Sequence, residues 1–260
     1  MRMKVRMRAG NKRGLVMLHA DQEGSRLSLL PSFAMSSGGQ DVQVGGTTAK
    51  ALVYVALQDQ AVDRSVAAGV LWPHVRDARA AANLRTTLWR ITQATQSSIL
   101  DVHGSSLRID PTVAVDLHRA VGEARRIVGG VRDVREMRDE VVQATISLLT
   151  TDLLTNWYDD WLMVHKERWR QLRLHALDAI GAQLTQCGRC ALAVDAATAS
   201  VDAEPLRESG YRCLMQAHLA QGNVSEAVRT HRRYSELLDK ELGIRPSHHM
   251  TELLTEAIGV

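Results

Sequence analysis

The chain has 260 residues, length enough for two ordinary domains that each bury a core of their own. With 45% hydrophobic and 23% charged residues it reads as globular, neither disordered nor membrane-embedded, and nothing approaches the roughly 18 consecutive apolar residues of a membrane span. The net charge of +3 is unevenly spread: residues 1–25 carry six cationic against two acidic side chains, residues 26–112 eight against six, and residues 113–260 eighteen against twenty-one. That asymmetry suits an N-terminal part that meets phosphates and an acidic part kept off them.

Residues 1–25, with Arg2, Lys4, Arg6, Arg8, Lys12 and Arg13 and no sustained apolar period, are expected to form a disordered basic arm. Val16, Met17 and Leu18 are too short a run for the apolar region of a secretory signal, so a cytoplasmic protein is expected. Cys187, Cys190 and Cys213 all fall in the last third of the chain, which makes no disulfide framework and leaves reduced thiols as the expectation.

In residues 26–112, short apolar runs at 26–30 and 42–44, broken by Pro31 and by Ser36-Ser37-Gly38-Gly39, predict a small antiparallel sheet. Thr47 and Thr48 stand where a helix N-cap belongs, ahead of a helix over 49–57 whose Leu52, Val53, Ala56 and Leu57 make an apolar stripe. A second short helix is predicted over 65–72, stopped by Pro73.

The third helix, over 78–96, contains no Gly or Pro. Ala81, Leu84, Leu88 and Ile91 fall on one face, and Arg79, Asn83, Thr86, Arg90 and Gln93 on the other. Arg and Asn make paired hydrogen bonds to guanine and adenine edges, and Thr suits phosphate or the thymine methyl group. An ordinary solvated face has the same composition. The following element, runs at 99–103 and 107–110 joined through Gly104-Ser105-Ser106, predicts a hairpin and favours the DNA reading. A short sheet, three helices and a hairpin are the order of a winged helix. The wing then carries His103, Ser105, Ser106 and Arg108 beside the third helix, where they and Thr47 and Thr48 reach the backbone or the minor groove.

From residue 115 onward only amphipathic helices are predicted: 116–128, 134–150, 159–187 and four more. Gly188 and Gly222 are 34 residues apart, as are Ala193 and Ala227, Val194 and Val228, Ile180 and Leu214, Leu184 and His218, and Leu177 and Tyr211. That is the tetratricopeptide period, with Pro205 closing the first unit and Pro246 falling late in the second. Residues 113–170 match it poorly, as a degenerate first unit with a long connecting helix would.

No catalytic residue, cofactor or metal site is expected. Cys187-Gly188-Arg189-Cys190 reads as C-x-x-C, but the repeat register puts Gly188 in an interhelix turn and Cys190 at a packing position, with no companion pair at zinc spacing. His248-His249 lacks a nearby ligand partner, and Asp159-Asp160 sits at a helix start, where carboxylates suit the dipole. None of the phosphate-loop, dinucleotide, nucleophile-elbow or zincin motifs occurs.

Leu71-Trp72-Pro73, the run Ala82-Asn83-Leu84-Arg85-Thr86-Thr87-Leu88-Trp89-Arg90, Val115-Asp116-Leu117, Trp157-Tyr158-Asp159-Asp160-Trp161, Glu204-Pro205-Leu206-Arg207-Glu208 and Glu241-Leu242-Gly243-Ile244-Arg245-Pro246-Ser247 occur in one order over residues 26–258. In these stretches the chain resembles the SARP family, the Streptomyces antibiotic regulatory proteins. The resemblance implies a mainly α protein, with a winged-helix DNA-binding domain of the response-regulator effector type over 26–112 and an all-α, tetratricopeptide-like bacterial transcriptional activator domain over 113–260. It implies a homodimer on direct repeats in double-stranded promoter DNA, recruitment of RNA polymerase holoenzyme, and target genes for a secondary metabolite such as an antibiotic. It further implies that Arg79, Asn83, Arg85, Thr86, Thr87 and Arg90 line the recognition helix, that Arg108 serves the wing, and that the loop of Pro73, His74, Val75, Arg76 and Asp77 faces polymerase. The basic extension before Arg26 departs from the family pattern. An interaction adaptor whose winged helix binds protein, and a repressor using the same winged helix, are the rival readings.

Overall fold

The computed structural model describes residues 24–95 and 98–258, so the basic arm expected over 1–25 lies outside the described residues except for Gly24 and Ser25. Ser25 already belongs to the fold: it is buried, its hydroxyl donates to the Ser37 hydroxyl (3.1 Å), and its carbonyl accepts from Ala114 N.

β1 (Arg26–Ser28) pairs antiparallel with β2 (Ala34–Ser37), which turns through Gly38 and Gly39 onto β3 (Gln40–Asp41). Both glycines have positive φ (56° and 76°), so they alone make the turn, and Ser36 and Ser37 stay in the strand opposite Asp41 and Gln40. This displaces the strand expected over 42–44. Val42 N still donates to Met35 O (2.9 Å), and the chain then leaves the sheet.

α1 (Gly46–Ala56) begins one residue earlier than Thr47, with Gly45 as N-cap and no side-chain cap. The expected capping role of Thr47 and Thr48 is therefore corrected: both lie in the first turn, and Thr48 is buried. The predicted stripe of Leu52, Val53, Ala56 and Leu57 is buried, but so are Ala49, Ala51, Tyr54 and Val55. The helix is covered on nearly every side.

β4 (Val62–Asp63) leads into α2 (Arg64–Leu71), capped by Asp63, whose carboxylate accepts from Ser65 N (2.7 Å). α3 (Asp77–Ala94) follows, then the hairpin of β5 (Leu100–His103) and β6 (Ser106–Ile109), and β4 joins β6 to give a sheet ordered β4-β6-β5. β7 (Ala114–Val115) returns parallel to β1, so the first sheet reads β3-β2-β1-β7. Two residues carry no readable period, so neither β4 nor β7 could be found by pattern.

α4 (Asp116–Val128) has the bounds predicted for it. The helix expected over 134–150 divides into a 3-10 turn (Val134–Glu136) and α5 (Asp139–Leu149). Distant side chains hold the break: Val134 N donates to Gln183 Oε1 (2.9 Å), and the Arg189 guanidinium donates to Val134 O (3.0 Å) and Met137 O (2.9 Å).

Five helices complete the chain: α6 (Asp160–Gln186), α7 (Cys190–Ala203), α8 (Glu208–Ala220), α9 (Val224–Leu242) and α10 (His248–Ile258). The period of 34 is structural. Gly188 and Gly222 make the α6–α7 and α8–α9 turns at φ 77° and 76°, Ala193 and Ala227 are fully buried one turn into the next helix, and Leu177 and Tyr211 are buried in the preceding ones. Leu214 and His218 are only half-buried where Ile180 and Leu184 are fully so, because the second unit lies near the end of the stack. Cys187 is exposed and Cys190 buried, each a free thiol.

A single apolar cluster runs from Leu27 through α1, α3 and α4 to α6, α7 and Ala217. The N-terminal and helical parts therefore share this core, and Val201, Tyr211, Met215, Ala227, Tyr234, Leu238 and Met250 form a second cluster among the last helices. Asp116 fastens the two parts: its carboxylate accepts from Leu29 N (2.8 Å), Leu30 N (3.1 Å) and Leu117 N (2.7 Å). Leu154 N and Thr155 N donate to Leu29 O and Pro31 O, Trp157 packs near Phe33 (ring centroids 6.1 Å), and Trp161 meets Tyr54 edge-on (5.4 Å). Asp159 stands at the N-cap of α6 and Asp160 in its first turn, as expected at a helix start, and Asp159, which makes no cap hydrogen bond, pairs with Lys50 of α1 (2.5 Å).

Candidate nucleic-acid interface

α3 is the element best exposed for recognition. Leu84, Leu88 and Ile91 are buried as predicted, together with Ala80 and Thr87, while Ala81 is only half-buried. Arg79, Arg85, Thr86, Arg90 and Gln93 are exposed and Asn83 is half-buried. Thr86 and Thr87 part company: each hydroxyl donates to the carbonyl four residues back (3.1 and 2.9 Å), but Thr86 faces solvent and Thr87 is 3% exposed. Thr87 is thus corrected from the outward set. Neighbouring helical positions lie about 100° apart, which sets this one within about 20° of Ala80 and about 40° of Ile91 on the buried side. Thr48 leaves the set for the same reason, packed inside against the core; Thr47 stays exposed.

The outward face is cationic. Among the described residues no ion pair engages Arg79, Arg85 or Arg90, and the single carboxylate of the helix, Asp77, lies in its first turn. Trp89, part of the family-like run but not assigned to the interface from sequence, is 62% exposed on this side. The signal was available: it sits three residues after Thr86 and four after Arg85.

The wing is built as predicted. Gly104, at φ 58°, and Ser105 form its turn, with His103 opposite Ser106 and Asp101 opposite Arg108. Arg108 donates from Nε to Asp101 Oδ2 (2.7 Å), and His103 Nε2 lies 2.8 Å from Asp101 Oδ1, so Asp101 holds both side chains on one surface of the hairpin. The tip is tied to the start of α2: Arg64 N donates to Ser105 O (2.7 Å). Hydrogen bonds from Ser65 and then Ser105 hold the Asp63 carboxyl down at about 2. Pro73, His74, Val75 and Arg76 form an exposed α2–α3 loop, and Asp77, expected within it, is the first residue of α3.

A groove of about 760 Å³ between α5, α6 and α7 is lined by Arg170 and Arg173 among Asp152, Asp195 and Asp202. Its arginines are already engaged, Arg170 by Glu167 and Glu204, Arg173 by Thr150 O and Asp152. Among the described residues no group of His, Cys, Asp and Glu could hold a metal ion, and no helix is long and apolar enough to cross a membrane.

Residues 115–258 match the family model described as the bacterial transcriptional activator domain. No curated protein matches the chain. Among solved structures, Mycobacterium tuberculosis EmbR in complex with low affinity phosphopeptide is similar in fold, with a TM-score of 0.65 and 19% identity over 91% of this chain. The match covers 65% of the EmbR chain, so this protein spans about two thirds of that length. Residues 115–258 are more than half of the chain, and the helical stack they form, joined through Asp116 to a winged helix of two small sheets and three helices, makes the chain a member of the bacterial transcriptional activator domain family.

Proposed function

We propose that this chain is a sequence-specific transcriptional activator that binds double-stranded promoter DNA, with the outward face of α3 in the major groove and the wing on the adjacent backbone. The observation that carries this reading is the cationic face of α3, where Arg79, Arg85 and Arg90, with Asn83 and Thr86 among them, make no ion pair among the described residues; the hairpin that follows α3 in the chain carries His103, Ser105, Ser106 and Arg108. A major groove admits an α-helix, and Arg and Asn are suited to paired contacts with guanine and adenine. Two protomers bind side by side on direct repeats, and the exposed loop of residues 73–77 meets RNA polymerase holoenzyme. The genes it serves make a secondary metabolite, as the SARP resemblance implies.

The test is selection of bound sequences from random duplex DNA at two salt concentrations. Enrichment of a direct repeat spaced by about one helical turn is expected. Log affinity is expected to fall with log salt at about 0.9 per phosphate contacted. Absence of enrichment, or binding indifferent to salt, would overturn the proposal in favour of a protein-binding adaptor.

A further inference from the structure

Trp89 is the largest exposed apolar side chain on α3, and its position is hard to explain by folding. It touches the polar side of a helix whose core face is already filled by Ala80, Leu84, Thr87, Leu88 and Ile91, and 62% of it stands in solvent. Its helical neighbours three and four positions away are Arg85, Thr86, Thr92 and Gln93, all exposed. An indole flanked by one guanidinium, two hydroxyls and an amide, with the nearest carboxylate of the helix twelve positions away at Asp77, is not part of an apolar patch that another helix or protein core would cover. The charge around it fits a polyanion. What the indole adds to a polyanion contact is apolar, and the apolar group displayed in a major groove is the C5 methyl of thymine.

We infer that Trp89 reads a thymine methyl group in each half-site, a specificity-determining contact beside the hydrogen bonds of Asn83 and Arg90. The inference rests on the major-groove placement of α3 proposed above. Packing the ring edge against the methyl removes apolar surface of both from water, and the discrimination expected from one methyl group is about fourfold. The indole N–H, a donor only, is left to a phosphate or water.

The experiment uses the duplex enriched in the selection above, with each thymine of one half-site replaced in turn by deoxyuridine, which removes the methyl and nothing else. The wild-type protein is expected to lose about fourfold in affinity at one position, in line with the burial of one methyl. Trp89→Ala is expected to bind the thymine and deoxyuridine duplexes alike at that position while keeping its preferences elsewhere, and Trp89→Phe to retain part of the discrimination. Because Trp89 lies outside the core, both variants should keep the wild-type circular dichroism. Equal binding of thymine and deoxyuridine duplexes by the wild type at every position, or discrimination that survives in Trp89→Ala, overturns the inference and leaves DNA binding standing. A Trp89→Ala protein that binds DNA normally but no longer captures polymerase overturns it too, assigning the indole to a protein partner. Failure of the selection itself strikes the DNA reading first.

Discussion

Asn83 and Arg90 lie seven residues apart on α3, two turns along nearly the same line, so in the proposed complex both face one groove. Asn83→Ala or Arg90→Ala should each weaken operator binding by about 1 to 3 kcal/mol and relax the preference at one base pair. Footprinting and titration on single-base variants of the operator would read this, and an unchanged profile in both variants would remove these residues from the interface. Thr86 and Thr87 give the sharper contrast. Thr86→Val should impair binding, whereas Thr87→Val should alter affinity little, since Thr87 faces the core and its hydroxyl bonds only Asn83 O. From sequence these two threonines look interchangeable; only the angle between successive helical positions separates them. Asp63 carries a pH dependence. Its folded pKa of about 2 lies below the ordinary value of 3.8, held by Ser65 and Ser105. The folded state therefore binds its proton less readily than the unfolded one, so its contribution to stability is complete above the ordinary value and disappears as pH falls toward 2. Denaturant midpoints measured from pH 5 to pH 2 should fall more steeply for the wild type than for Asp63→Asn.

Among the elements, the turns of the helical stack and α1 show opposite degrees of legibility. Gly188 and Gly222 announce themselves by their spacing, and the structure gives the reason: both sit at positive φ where a Cβ would meet no atom. The cost of Gly222→Ala is thus backbone strain alone, about 1 to 2 kcal/mol, measurable as a shift in denaturation midpoint without change in DNA contacts. α1 reads in sequence as an ordinary amphipathic helix with one stripe, yet it is buried nearly all round. Tyr54 and Val55 fall outside that stripe yet are buried, and the Trp161 ring that meets Tyr54 belongs to α6, which begins more than a hundred residues later. The 3-10 turn before α5 was illegible for the same reason, since Gln183 and Arg189 hold it from afar.

In the whole molecule, the segment from Leu154 to Trp161 clasps the N-terminal part against the helices. It does so with backbone hydrogen bonds to Leu29 and Pro31, two aromatic contacts, and the Asp159–Lys50 pair. Trp161→Ala removes the edge-on contact with Tyr54 and part of the shared core, and should cost about 2 kcal/mol. Because one apolar cluster spans the N-terminal part and α4 to α7, calorimetry of the wild type should give one transition for these elements, which this variant should broaden or split. A wild type that already unfolds in two well-separated steps would show that the clasp does not couple the halves.

The sequence by itself determined the order of the main helices and the wing hairpin, the bounds of α3 and α4 to within a few residues, the repeat of the helical stack, and the run of residues that carries the family likeness. These follow from local physics: helical period, turn residues and spacing are written within a few dozen neighbouring positions. Tertiary structure alone decided that Thr48 faces inward, that β4 and β7 complete two sheets, that Asp159 at the start of α6 pairs with Lys50, and that one apolar cluster spans both halves. Each of those depends on a partner distant in the chain, and no local pattern can record which surface another element will come to cover.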